Sequence, residues 1–118
     1  MLTQTMSTDD VHPIKNVHIK ADSNYLQFVK MTEHALNPTR ESAGSAGLTL
    51  RSPYLTTVPA RGKEVIPTDL KIKLPNDYYG RIASITNLAS SHHLSIGAGV
   101  IDAGFRCNLS VLLFNHSK

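Results

Sequence analysis

Gly97-Ala98-Gly99-Val100-Ile101-Asp102-Ala103-Gly104-Phe105-Arg106 sets three glycines, one carboxylate and one aromatic ring between two apolar runs. The first run is short, Leu94 and Ile96, and the second is strong, Leu109, Val111, Leu112, Leu113 and Phe114. Two β-like segments joined through glycine predict a hairpin. Glycine there lets the backbone adopt positive φ and lets a ligand approach main-chain groups. Two readings of Asp102 stand. It is a carboxylate that orients a water or a metal, or it is an Asx-type turn residue bonding its own backbone.

Outward from this stretch, 118 residues with 41% hydrophobic content predict one small domain over a single core. No apolar run approaches the ~20 residues needed to span a membrane, and residues 1–22 contain no hydrophobic stretch of the kind a secretory signal requires. Cys107 is the single cysteine, which excludes an internal disulfide framework and predicts an intracellular setting, cytoplasmic or nuclear. The net charge of +3 comes from scattered basic residues. A scattered charge excludes a nucleic-acid-binding stripe and still suits a phosphorylated small molecule.

Residues 1–24 are rich in Thr, Asp, Ser, His and Lys with little periodicity, and are expected to form a flexible polar arm ahead of a folded domain at 25–118. In Tyr25–Met31, Leu26 and Phe28 alternate with Gln27 as in a half-buried strand. Asn37-Pro38 breaks the chain, because the residue before proline is driven toward extended conformations. Ser42–Gly47 is small and flexible and matches no phosphate-binding pattern, so a plain loop is expected. Leu48-Thr49-Leu50 alternates again, and Pro59 and Gly62 bracket a basic turn. Leu70-Lys71-Ile72-Lys73-Leu74 puts three aliphatics on one face and two lysines on the other. Tyr79–Ala83 and Leu109–Phe114 complete the set. Short strands at about ten-residue spacing, with no long helical period, predict an all-β sandwich or jelly roll.

Two other chemistries find little support. His92 and His93 together with His34 or His116 suggest a metal site, but adjacent histidines on a strand face opposite ways and no further ligand sits at zinc spacing. A solvent-facing loop is the simpler expectation, and no metal ligand is assigned. Ser90 and Ser91 lack the context of a nucleophile elbow.

Three motif-like segments carry a resemblance across Tyr25–Lys118. These are Leu36–Arg40 through Ala46-Gly47, then Gly80-Arg81-Ile82-Ala83 with Leu88-Ala89, and then Gly97–Asp102 with Arg106. Val58–Lys63, Pro67–Leu70 and Leu113–Ser117 add framework matches. The chain resembles the trimeric all-β dUTPase family, with a flavour of its insect or viral members. That resemblance implies a jelly roll or distorted β-barrel, hydrolysis of dUTP to dUMP and pyrophosphate with Mg²⁺, and sites built between the subunits of a homotrimer. It makes Asp102 the catalytic residue that orients the attacking water. Substrate binding falls on Gly97, Ala98, Gly99, Val100, Ile101 and Phe105, with Arg81 and Thr86.

Departures from the family pattern cluster on these positions. Thr49 replaces the acidic residue that the first motif associates with hydrated metal, and a neutral hydroxyl cannot supply that charge. In the second motif Ser84-Ile85-Thr86-Asn87 stands where the family has Pro-Arg-Ser-Gly. Ile85 thus removes a guanidinium expected near phosphate, a charge-assisted bond worth about 1.5–3 kcal/mol. Phe105 keeps a ring and lacks the family's tyrosine hydroxyl, and Cys107 stands at a glycine position. The family's fourth and fifth motifs find no match through Lys118, so the domain is expected to be truncated before them and its barrel incomplete at the C-terminus. A jelly roll stopping there is expected to expose a sheet edge that a partner must cover. The expectation is therefore dUTP hydrolysis weakened or lost, and the alternative is a non-catalytic binding or regulatory module on the same scaffold.

Overall fold

A computed structural model describes residues 2–5, 11–13 and 25–118. Among the described residues, ten strands and one helix follow in the order β1 (Leu2–Thr5), β2 (Val11–Pro13), β3 (Leu26–Lys30), β4 (Gly47–Leu50), β5 (Lys63–Pro67), β6 (Leu70–Lys73), β7 (Gly80–Ala83), α1 (Thr86–His92), β8 (Leu94–Gly97), β9 (Val100–Ile101) and β10 (Ser110–Asn115). They form three sheets, ordered β4-β1-β7-β9, β5-β10-β8 and β2-β3-β6. The architecture is all-β and of the jelly-roll kind, as the strand spacing predicts.

Period-two alternation explains most of these strands. Leu70 and Ile72 are buried on β6 while Lys71 is exposed, and Leu26 and Phe28 are buried on β3. On β10, Val111 and Leu113 turn to the core, leaving Leu112 and Phe114 half-buried on the other face. Leu48, Leu50, Ile66, Ile82, Ile101 and Leu109 close the same core. Within the 1–24 segment, expected as an arm, Leu2–Thr5 and Val11–Pro13 are short strands paired into two of the sheets. The remaining residues of that segment lie outside the described residues.

Two elements depart from the sequence reading. Lys63–Pro67 forms a strand although only Ile66 of it is buried. Its other side chains carry no alternation, and its place is set by the antiparallel ladder to β10, Val111 opposite Ile66. The histidines His92 and His93 do not lie in a loop: His92 ends α1, and His93 caps it in the left-handed region at φ 56°. The helix begins after Ile85, which offers no capping side chain, and it buries no residue. Nothing in its sequence announces it.

Asp69 knots the fold behind the central connection. It occupies the left-handed region at φ 55°, where Asp is one of the few tolerated side chains, and it is only 6% exposed. Its Oδ2 accepts from Thr32 Oγ1 at 2.9 Å and from the Tyr54 hydroxyl, and its Oδ1 accepts from Asn108 Nδ2 at 2.9 Å. Its own amide donates to Asn108 Oδ1 at 3.0 Å, and its carbonyl accepts from the Met31 amide at 2.8 Å. Four chain segments therefore meet on one carboxylate. Adjacent Thr68 adds a hydroxyl donated to the Leu109 carbonyl at 2.6 Å. The Tyr54 hydroxyl, followed by the Asn108 amide and Thr32, holds the Asp69 carboxyl below its ordinary range.

A carboxyl with a depressed native pKa contributes stability above its unfolded value, and that contribution is lost as pH falls through the native value. Asp69→Asn keeps the left-handed conformation and removes the charge. The variant is expected to be less stable than the parent at pH 7 and to show a flatter decline in acid. The two unfolding midpoints should converge below about pH 4. Parallel midpoint curves across the acid range, followed by circular dichroism, would refute this.

Candidate active site

The central connection behaves as a hairpin in its stems and as a crossover in its loop. β8 pairs antiparallel with β10, Gly97 opposite Leu112 and Leu94 opposite Asn115, so the two apolar runs do meet. Between them the chain leaves that sheet. Ala98 takes φ 59° and Gly99 φ 121°, and this reversal sends Val100-Ile101 to pair with β7, Ile101 opposite Gly80. The Ile82 amide donates to the Gly99 carbonyl at 2.8 Å and pins the crossing.

Glycine is required twice here. A Cβ on Gly97 would run into the Phe114 ring and come within 2.9 Å of Leu112 Cδ2. On Gly99 it would lie 2.9 Å from the Ile82 carbonyl oxygen, at a φ that other residues avoid.

The crossing opens a cleft of about 160 Å³. Gly97, Ala98, Gly99, Val100 and Ile101 form one wall, the Phe105 ring another, and Ile82, Ile96 and Leu112 are among the rest. Six of the residues expected to bind substrate are thus brought together. The space is below the ~300 Å³ of pockets that enclose larger ligands, and it suits one planar ring. Asp102 follows Ile101 directly, is exposed, and is not among the cleft-lining residues. The 102–105 turn is closed by the Phe105 amide on the Asp102 main-chain carbonyl at 3.0 Å, so main chain rather than the carboxylate makes the turn. Arg106 folds back to donate to the carbonyls of Ala103 at 2.8 Å and Phe105 at 2.7 Å. Cys107 is exposed and has negative φ, so the glycine it replaces leaves no backbone strain.

Arg81 and Thr86 lie elsewhere. Arg81 is exposed on β7, paired by backbone with Val100, and Thr86 is the exposed first residue of α1. Neither lines the cleft of its own chain. Asn87, at the position expected to need glycine, is helical.

Position 49 holds a constellation that local reading missed. Thr49 is 4% exposed and bridges Thr39 through paired backbone bonds of 2.7 and 3.2 Å. Glu41 comes to this pair from the following loop. Its Oε1 accepts from Thr39 Oγ1 at 3.0 Å and from Arg51 Nη2 at 2.8 Å, while Arg51 Nη1 donates to Thr39 Oγ1 at 2.6 Å. Hydrogen bonds from Thr39, then Arg51 and Thr49, lower the Glu41 pKa. A carboxylate therefore stands beside Thr49 and is already neutralised by a guanidinium. Among the described residues no group of three His, Cys, Asp or Glu side chains is placed to hold a metal ion. At position 49, then, the hydroxyl is neutral and the neighbouring Glu41 carboxylate is already paired with Arg51. Among the described residues, no helix is long and apolar enough to cross a membrane.

A family model described as dUTPase matches residues 33–118. Human mitochondrial deoxyuridine 5'-triphosphate nucleotidohydrolase is 47% identical over 93 residues, covering 79% of this chain and 37% of that protein. The Arabidopsis thaliana enzyme is 50% identical over 95 residues, covering 80% and 57%. The chain thus spans between about a third and three-fifths of the length of these relatives. Among solved structures, a variant dUTPase from phage phi11 of S. aureus, described with a structural Mg(II) ion, superposes with a TM-score of 0.74 at 32% identity, covering 79% of this chain and 61% of that one. A variant dUTPase of Staphylococcus bacteriophage 80alpha, solved with dUpNHpp, gives 0.76 at 32% identity, covering 81% and 57%.

Two outcomes are expected. Gly99→Ala should cost about 1–3 kcal/mol in urea unfolding, the usual range for a strained backbone position, and no loss of stability would contradict the crossing geometry. Thr49→Asp should destabilise toward the upper end of the ~0.5–3 kcal/mol range of single substitutions, because it buries a carboxylate beside Glu41. That cost should shrink in a Glu41→Gln background, and equal costs in both backgrounds would show that the two positions do not interact.

Proposed function

The chain belongs to the dUTPase family, and on that premise we propose that its cleft takes the uracil ring of dUTP and that Asp102 orients the water attacking the triphosphate, with slow release of pyrophosphate. One observation carries this reading: Gly97–Ile101 and Phe105 together line a space of about 160 Å³, small enough for a single planar ring. Main-chain donors and acceptors held by a pinned crossing present fixed geometry to a base edge. Phe105 offers a face for the deoxyribose and no hydroxyl. Asp102 stands exposed directly after the cleft wall, where a carboxylate is able to take a proton from water.

The slow rate follows from positions 85 and 49. Ile85 puts an apolar side chain where the resemblance expects a guanidinium, and Thr49 puts a buried hydroxyl where it expects a carboxylate. Each charge-assisted bond missing at the transition state is worth about 1.5–3 kcal/mol, or roughly tenfold to a hundredfold in rate. Arg81 and Thr86 do not line the cleft of their own chain, which supports a site completed between subunits of a homotrimer. Val100 on β9 and Tyr79 just before β7, 71% and 65% exposed, supply apolar surface for such a contact.

A second reading, a non-catalytic nucleotide-binding module, is favoured by one specific observation. The carboxylate nearest position 49 is committed to Arg51 and so carries no spare charge for a hydrated cation.

Pyrophosphate release from dUTP in magnesium buffer, measured beside dUTP binding by calorimetry, separates the two. The parent chain should turn over, and Asp102→Asn should lower the rate by at least about a hundredfold, the scale of general-base catalysis, while keeping dUTP affinity. Binding without turnover in the parent would favour the module, and absence of both would remove the nucleotide reading altogether.

A further inference from the structure

β1 lies in the middle of a sheet to which the family-matched region contributes every other strand. The match begins at residue 33, yet Leu2–Thr5 stands between β4 and β7. All four of its residues pair with β4, Leu2 opposite Leu50 through Thr5 opposite Gly47, and three pair with β7, Thr3 opposite Ala83 through Thr5 opposite Arg81. Both ladders are antiparallel, so β4 and β7 run parallel to each other on either side of a gap one strand wide. Removing β1 would open two facing edges at once, a strong template for an incoming strand. The solved relatives extend well beyond the matched portion, since this chain covers 57–62% of each. The strand that fills this gap here comes from outside the region shared with the family.

We propose that the gap between β4 and β7 is a strand-acceptor site, that this chain fills it with its own Leu2–Thr5, and that the Leu2–Thr5 strand of a second copy enters it in the same register, linking copies by strand exchange. The contacts at stake are main-chain ladders, and an identical segment from another copy makes them equally well. Only the tether distinguishes the two forms. Five residues, 6–10, separate β1 from β2, which is itself paired with β3. At about 3.3 Å per residue that link spans roughly 20 Å when extended, and a short link is the kind that invites exchange of a strand between copies. Leu-Thr-Gln-Thr carries no charged or proline residue, the usual devices that keep a strand from pairing with a foreign edge. β4, buried along its whole length, shows an acceptor edge enclosed on both faces. The consequence reaches the cleft, because Gln4 pairs opposite Ile82, whose amide pins the crossing. In the exchanged form, one copy's strand supports the wall of the other copy's cleft. The inference rests on backbone pairing and on the limits of the match, and it holds whether or not nucleotide binds.

Cross-strand disulfides in the full chain test it, with Cys107→Ser to remove the exposed native thiol. Residues directly opposite in an antiparallel pair have Cα atoms about 4.5–5.5 Å apart, within the roughly 4.4–6.8 Å that a disulfide bridges. Thr3→Cys with Ala83→Cys is the first pair, and Thr5→Cys with Arg81→Cys is the second, in case one geometry fails. The double variants are expected to oxidise to linked species, and adding Gln4→Pro should abolish the link. A Thr3→Cys chain mixed with an Ala83→Cys chain should yield a mixed disulfide, seen as a shift from 12.9 kDa to twice that mass. Links in neither double variant would overturn the placement of β1 in the gap. Intrachain links alone, with no mixed product at any protein concentration, would overturn the exchange.

Discussion

The hydrogen bond from the Ile82 amide to the Gly99 carbonyl, 2.8 Å long, joins two sheets that otherwise diverge around the central connection. β8 is held to β10, and β9 is held to β7. Two intervening residues must therefore reverse the chain. Ala98 and Gly99 do so with positive φ, conformations that cost little for glycine and about 1–2 kcal/mol for alanine. The bond fixes how far the reversal opens, and the cleft is the space that remains between diverging strands. Its small size follows directly. Sheets pack about 10 Å apart, so a gap formed by one strand leaving a sheet admits one flat ring.

A second anchor keeps this geometry from collapsing at the far end. The chain returning from the tip passes Asn108, which exchanges two hydrogen bonds with Asp69. Leu109 then exchanges main-chain bonds with Thr68 and Leu70. A buried carboxylate is costly unless fully satisfied. Asp69 meets that condition with donors from Thr32, Tyr54 and Asn108, all held in register by the surrounding strands. The left-handed φ at Asp69 turns its side chain toward Asn108 while β6 departs in the other direction. Strain at one residue thus positions the exit of the connection that carries the cleft.

What the sequence discloses and what it withholds divide along the range of the interactions. β3, β6, β7 and β10 were readable because burial on one face imposes an alternation visible within five residues, whereas β4 alternates in sequence yet is buried along its whole length. The glycines of 97–104 announced a connection with unusual backbone, and the structure brings Gly97–Ile101 and Phe105 together along one cleft whose lining does not include Arg81 or Thr86. α1 was invisible since it buries nothing and starts without a capping side chain. β5 was invisible since three of its five residues are exposed. The departure of β9 to a different sheet, the knot at Asp69 and the pairing of Glu41 with Arg51 all depend on residues ten to thirty-nine positions apart. Periodicity holds no trace of such pairs.

Positions 49, 51 and 85 are best understood together. Arg51 lies two residues after Thr49, so along an extended chain their side chains share a face, and Thr39 reaches the same place through the bridge between the two segments. A guanidinium introduced there would be left beside a neutral strand unless some carboxylate met it, and Glu41 does. The carboxylate beside position 49 in this chain therefore comes from a loop residue, and Arg51 neutralises it. At position 85 the expected positive charge is missing as well. Losing one charge of each sign leaves the net charge of the expected site unchanged while removing both groups that would read a metal-bound triphosphate. Coulomb attraction to phosphate falls steeply without a fixed partner charge, whereas the ring-sized cleft involves neither position. On the proposed reading, recognition in this chain therefore rests on the base far more than on the phosphates.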